Sequence, residues 1–97
     1  MKLLEGKVVL VTGAARGIGR SIAIACAEAG ASVAFTDMNR DDNFISLETE
    51  LAALGVKAKG YASNAADLNA SQATVDEVVA EFGQIDVLVN NAGITRD

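Results

Sequence analysis

Val8-Val9-Leu10-Val11-Thr12-Gly13-Ala14-Ala15-Arg16-Gly17-Ile18-Gly19 is an apolar run that breaks into three glycines spaced over seven residues. Four consecutive aliphatic residues suit a strand buried on both faces, as in a parallel sheet. Gly13 permits a backbone angle closed to residues with a side chain, so the strand can turn sharply. Gly17 and Gly19 let the backbone approach both a ligand and the neighbouring strand. Free N–H groups at the start of the following helix, near Ile18, then point outward with the helix dipole behind them, a cradle for a pyrophosphate. A turn that bound nothing would not need three glycines. The spacing is Gly-x-x-x-Gly-x-Gly, which is not Gly-x-Gly-x-x-Gly and lacks the Gly-Lys-Ser/Thr end of a P-loop.

Outward from this turn, short β-branched runs alternate with helical periodicity. Strands are expected at 7–11, at 32–36 ending on Asp37, at 57–61 and at 85–89. A helix over 17–29 places Ile18, Ile22 and Cys26 on one inward face and stops at Gly30. Asp41 or Asp42 caps a second helix whose inner face is Phe44, Leu47, Leu51 and Leu54, ended by Gly55. A third, from about Asn69, turns Val75, Val78, Val79 and Phe82 inward and stops at Gly83. Crossovers of this length force parallel strands, and their right-handedness leaves a doubly wound α/β sheet of order 3-2-1-4 with helices on both faces. In such a sheet the ligand sits beyond the carboxyl ends of the strands, between strands 1 and 4. Strand 4 is then an apolar open edge, so the 97 residues are expected to form a single half-domain that aggregates, pairs through strand 4 or is completed by a further segment, with a homo-oligomer expected.

The composition fits a globular chain: 51% hydrophobic and 22% charged residues, with no proline. A net charge of -5 argues against a nucleic-acid partner, which needs a basic face. The longest apolar runs fall far short of the ~20 residues that span a membrane. The first residues lack the apolar core of a signal peptide. A lone cysteine, Cys26, expected to be an inert core residue, fits a reducing compartment, and the cytoplasm is expected. One cysteine, no histidine and scattered carboxylates make no metal-ligand set.

Asp37 stands at the end of the second strand, which abuts the first. Its carboxylate can accept hydrogen bonds from both hydroxyls of an adenosine ribose and would repel a 2′-phosphate; the other role open to it is a turn or capping aspartate. Arg16 and Arg40 pull the other way, because a guanidinium near the ribose can hold that phosphate. The cofactor reading leans to NAD, with NADP possible.

Thr12-Gly13-Ala14-Ala15-Arg16-Gly17-Ile18-Gly19 together with Asn90-Asn91-Ala92-Gly93 resembles the short-chain dehydrogenase/reductase family. The stretch from Glu81 to Asp97 is especially similar to bacterial 3-oxoacyl-acyl-carrier-protein reductases. The resemblance runs collinearly over essentially the whole chain and implies the N-terminal half of a Rossmann fold. It implies that Gly13, Ala15, Arg16, Gly17, Ile18, Gly19 and Asp37 bind the cofactor. Asn64 and Ala65 match the pair that lies against the adenine ring, although many relatives have Asp where this chain has Asn64. Asn91, Ala92 and Gly93 match the backbone lining the ribose next to the nicotinamide, and Asn90 a residue that ties the central strands together. Asp37 departs from the acyl-carrier-protein reductases, which usually use NADPH and lack that acid.

The family's chemistry uses a Tyr-x-x-x-Lys pair, a serine and a further asparagine. The only tyrosine here, Tyr61, is followed four places on by Ala65 and belongs to the third strand, where packing is its expected role. No catalytic residue is therefore assigned, and the 97 residues by themselves are expected to be inactive. The resemblance implies hydride transfer between a nicotinamide and a carbonyl or alcohol carbon of a small molecule or acyl thioester. The alternatives are a non-catalytic nucleotide-binding module, or part of a short-chain alcohol or hydroxysteroid dehydrogenase. A methyltransferase shares the glycine turn and the acid, but not the arginine in the turn or the Asn-Asn-Ala-Gly segment.

Overall fold

The valine-rich run becomes the middle of the sheet. In the computed structural model, which describes residues 2–92, strand β1 (Val8–Thr12) is followed by α1 (Gly17–Glu28), β2 (Ser32–Asp37), α2 (Asp42–Ala53), β3 (Ala58–Ala62), α3 (Leu68–Phe82) and β4 (Val87–Asn90). All pairings are parallel and the order is β3-β2-β1-β4, as the crossover rule requires. Register aligns Thr12 with Thr36 and Asn90, and Asp37 with Ala62. The loops after all four strands therefore leave the sheet along one rim.

The ladder runs one residue further toward that rim than the apolar runs suggest. Thr12 and Asn90 extend it because they bond each other, Thr12 Oγ1 donating to Asn90 Oδ1 at 3.2 Å. At the opposite end Ile85 and Asp86 stay outside the strand. Asp86 instead closes the entry to the β1–β4 pair: its N–H donates to the Val8 carbonyl at 2.8 Å, and its Oδ2 accepts the Val8 N–H at 2.7 Å.

One face of the sheet carries the larger core. Val9, Val11, Val33 and Phe35 meet Phe44, Leu47 and Leu51 of α2, with the Phe35 and Phe44 rings 4.8 Å apart. Each fully buried side chain of this size contributes roughly 1.5–3 kcal/mol. Gly60 supplies the notch for the pair, since a Cβ there would lie 2.5 Å from both ring tips. On the other face α3 packs Val78 against Leu10, Ala34 and Tyr61.

Three helix faces differ from the expected ones. Ile18 is 70% exposed, and the stripe of α1 that meets the sheet is Gly19, Ala23 and Ala27. Small side chains let α1 lie close to β1 and β2, so Ile22 and Cys26 are pushed to the flank, partly buried. Leu54 is exposed because it is the C-cap of α2, beyond the last turn that faces the core. Val79 is 44% exposed, and the inward place belongs to Thr74, one turn before Val78. Thr74 can be buried because its Oγ1 donates to the Ala70 carbonyl at 3.0 Å. Asp41 caps α2 as expected, accepting the Phe44 N–H, and Asp67, which the sequence reading did not single out, caps α3 by accepting the Ala70 N–H. β4 pairs only with β1 among the described residues and leaves Val87 and Leu88 exposed.

Candidate functional site

The rim above β1 and β2 is organised around the glycine turn. Gly13 and Gly17 hold φ of 64° and 66°, the left-handed region that glycine enters without strain. Gly19 is glycine for another reason. A Cβ there would overlap the Gly13 carbonyl and lie 2.6 Å from Asn91 Nδ2, which itself donates to the Gly13 carbonyl at 3.0 Å. The buried Asn91 side chain thus straps the end of β4 to the turn, and Ala92 is held by its N–H on Thr12 Oγ1 at 3.1 Å. These side-chain roles of Thr12 and Asn91 were not legible from spacing.

Two amides of the turn are spent internally. Ala14 N–H donates to the Thr36 carbonyl at 3.1 Å, and Ala15 N–H to Asp37 Oδ2 at 2.9 Å. Ala15 is buried with its amide engaged, so it shapes the turn. From Arg16 onward the situation changes. Arg16 is the N-cap of α1, no side chain caps this end, and no acidic residue stands in the first turn. A helix start leaves its first four N–H groups without intrahelical partners, with a positive dipole end behind them. Ile18 is exposed at this start, and a Cβ on Gly17 would meet nothing within 4 Å. Among the described residues nothing stands over the helix start, and its free N–H donors suit a diphosphate.

Asp37 is oriented rather than merely nearby. Oδ2 accepts the Ala15 N–H and Oδ1 the Met38 N–H at 2.8 Å. Each carboxylate oxygen has a second lone pair to offer a hydroxyl. The arginines divide. Arg40 is committed to α2, with Nη2 on Glu48 Oε1 at 3.0 Å and its guanidinium 4.8 Å over the Phe44 ring. Arg16 is exposed and makes no ion pair among the described residues.

Asn64 and Ala65 lie on the same rim, in the turn between β3 and α3. Asn64 Oδ1 accepts the Ala66 N–H at 3.0 Å, forming a local turn. Ala65 lines a cavity of about 240 Å³ together with Leu10, Thr36, Ser63, Leu68 and Leu88. Nothing in the sequence pattern pointed to this cavity. Gly93 falls outside the described residues.

Tyr61 is buried under α3, and its hydroxyl has no partner among the described residues. Burial, then the Glu81 and Glu77 carboxylates, push its pKa up. A proton-transferring tyrosine at neutral pH needs the opposite shift, so Tyr61 packs. Burial also raises the Cys26 thiol, leaving it a poor nucleophile. Among the described residues no cluster of three His, Cys, Asp or Glu could hold a metal, and no helix is long and apolar enough to cross a membrane.

Residues 7–97 match the family model described as short chain dehydrogenase. The chain belongs to that family. Short chain dehydrogenases similar to it include the 3-oxoacyl-[acyl-carrier-protein] reductase of Staphylococcus aureus, 48% identical over 91 residues, covering 94% of this chain and 37% of that one. Among solved structures, a short chain dehydrogenase from Burkholderia cenocepacia in complex with NADP superposes with a TM-score of 0.90 at 43% identity, over 96% of this chain and 38% of that one. NAD+-bound xylitol dehydrogenase gives 0.85 at 41% identity, over 90% and 33%. The chain thus spans little more than a third of the length of the curated relatives it matches.

Proposed function

We propose that these 97 residues form a dinucleotide-binding half-domain: the cofactor-holding part of an NAD(P)-dependent short-chain oxidoreductase. The diphosphate lies over the start of α1, against the amides from Arg16 to Gly19. The adenosine ribose faces Asp37, the adenine ring lies toward Asn64 and Ala65 beside the cavity, and Asn91, Ala92 and Gly93 follow the nicotinamide ribose. The nicotinamide supplies or takes the hydride; this chain's residues bind it, orient it and keep its diphosphate on fixed donors.

The observation that carries the reading is the Asp37 carboxylate, pinned by two backbone amides and left with a free lone pair on each oxygen. It accepts both ribose hydroxyls and repels a 2′-phosphate. Arg40 is drawn onto Glu48 and the Phe44 ring, and a 2′-phosphate would have to compete with that pairing. We therefore assign NAD as the preferred cofactor, with Arg16, among the described residues, the guanidinium open to NADP. The carbonyl substrate, in the complete enzyme, is a small molecule or an acyl thioester such as a 3-oxoacyl group, the substrate class in the name of the S. aureus relative. A lone cysteine fits the reducing cytoplasm.

Calorimetry on the protein tests the assignment. NAD+ binds more tightly than NADP+, and Asp37→Ala weakens NAD+ more than NADP+. An Asp37→Ala protein that loses NADP+ affinity first contradicts it. By themselves the 97 residues carry no Tyr-x-x-x-Lys pair, and NAD(P)H-dependent reduction of a 3-oxoacyl thioester by this chain alone is expected to be undetectable.

A further inference from the structure

Arg20 belongs to none of the recognised cofactor motifs, yet its guanidinium is the most heavily used polar group at the site. Nη1 donates to the Ala15 carbonyl at 2.9 Å and to the Asn43 carbonyl, in the first turn of α2, at 3.0 Å. Nη2 donates to Ser46 Oγ and to Glu50 Oε1, both at 2.9 Å. One planar fork thus spans the turn, the start of α1 and two turns of α2, with its side chain only 21% exposed.

Ala15 is consequently gripped from both sides: its N–H by Asp37 and its carbonyl by Arg20. No peptide bond among the described residues is cis, and in a trans peptide the C=O and the next N–H point in opposite directions. With the Ala15 carbonyl drawn onto Arg20, the Arg16 N–H faces the other way. The Ala15–Arg16 peptide is where amides spent inside the turn give way to amides open to a ligand. Freed from Arg20, that peptide could rotate and put a carbonyl oxygen where a diphosphate oxygen should sit.

We infer that Arg20 is a positioning residue for the diphosphate: it aims the Arg16 amide by holding the Ala15 carbonyl, and it ties that aim to the seating of α2. The inference rests on the nucleotide reading above. The role is electrostatic as well as geometric. A cation behind the carbonyl stabilises the orientation that presents the N–H to an anion, and Ser46 and Glu50 hold the cation there.

The test compares NAD+ and adenosine by NMR titration of the protein and of Arg20→Ala, Arg20→Lys and Ser46→Ala. Arg20→Ala weakens NAD+ about tenfold while adenosine, which has no phosphate, changes by less than about twofold. Arg20→Lys recovers part of the NAD+ loss, because an ammonium can still reach the Ala15 carbonyl. If the alanine variant does not fold, the lysine variant carries the same reading, a smaller loss confined to NAD+. Ser46→Ala leaves Nη1 on the turn, so it lowers the melting temperature without changing the NAD+-to-adenosine ratio. Equal weakening of both ligands, or none, overturns the role of Arg20 while leaving nucleotide binding intact. A wild-type protein that binds neither ligand overturns the nucleotide reading itself, and this inference with it.

Discussion

Replacing Gly19 by alanine is the sharpest test of how the site is assembled. The new Cβ would overlap the Gly13 carbonyl, lie 2.6 Å from Asn91 Nδ2 and sit 3.1 Å from Ala14 Cα. Two of these neighbours are backbone, so relief requires α1 to move off the turn. Overpacking of this kind costs roughly 1–3 kcal/mol. The Asn91–Gly13 bond is in the way, and a buried amide or carbonyl left without its partner costs about 1–3 kcal/mol more. Alanine regains about 0.5–1 kcal/mol over glycine inside a helix. The net expectation is a loss of about 3 kcal/mol, with the melting point falling ~4–8 °C for each kcal/mol in a domain of this size. Gly17→Ala is the control: its Cβ meets nothing, so only the strain of a left-handed alanine applies, about 1–2 kcal/mol. Urea denaturation of both variants reads the difference. If Gly19→Ala is as stable as the wild type, or more stable than Gly17→Ala, the close approach of α1 to the turn does not exist as described.

Other consequences can be checked with the same equipment. Tyr61→Phe removes an unpartnered buried hydroxyl and is expected to hold stability level or raise it by about 1 kcal/mol. The raised Tyr61 pKa means the folded protein resists ionisation where the unfolded chain does not, so wild-type stability falls as pH rises past the ordinary value of 10.0; Tyr61→Phe loses that decline. The Asp86 carboxylate is held below its ordinary 3.8 by the Val8 amide and Gln84. Its stabilisation is therefore present above that pH and fades as acid is added, a slope that Asp86→Asn should flatten in acid titration monitored by circular dichroism. The exposed edge of β4 is expected to drive association, so sedimentation of this chain at micromolar concentration should show species larger than a monomer; a single monomeric boundary speaks against it.

The strands and their order were readable because β-branched runs and glycine stops are local signals, and crossover handedness leaves one arrangement. Helix faces were less readable. In α1 the isoleucines looked like the inward stripe, but how closely a helix can approach a sheet is decided by size, and Gly19, Ala23 and Ala27 took that place. In α3 a threonine displaced a valine, because its hydroxyl is satisfied by its own helix. The candidate site shows the same division. Asp37 and the glycines stand out by spacing along the chain. The grip of Arg20 on Ala15, the strap from Asn91 and the withdrawal of Arg40 onto Glu48 depend on contacts between elements, which no local pattern encodes.

The most direct trial is a crystal structure of the protein soaked in NAD+. The diphosphate oxygens should lie within hydrogen-bonding distance of the amides from Arg16 to Gly19, with both adenosine ribose hydroxyls on the Asp37 carboxylate. A diphosphate bound elsewhere, or the space over the start of α1 filled by the protein's own side chains, contradicts the account.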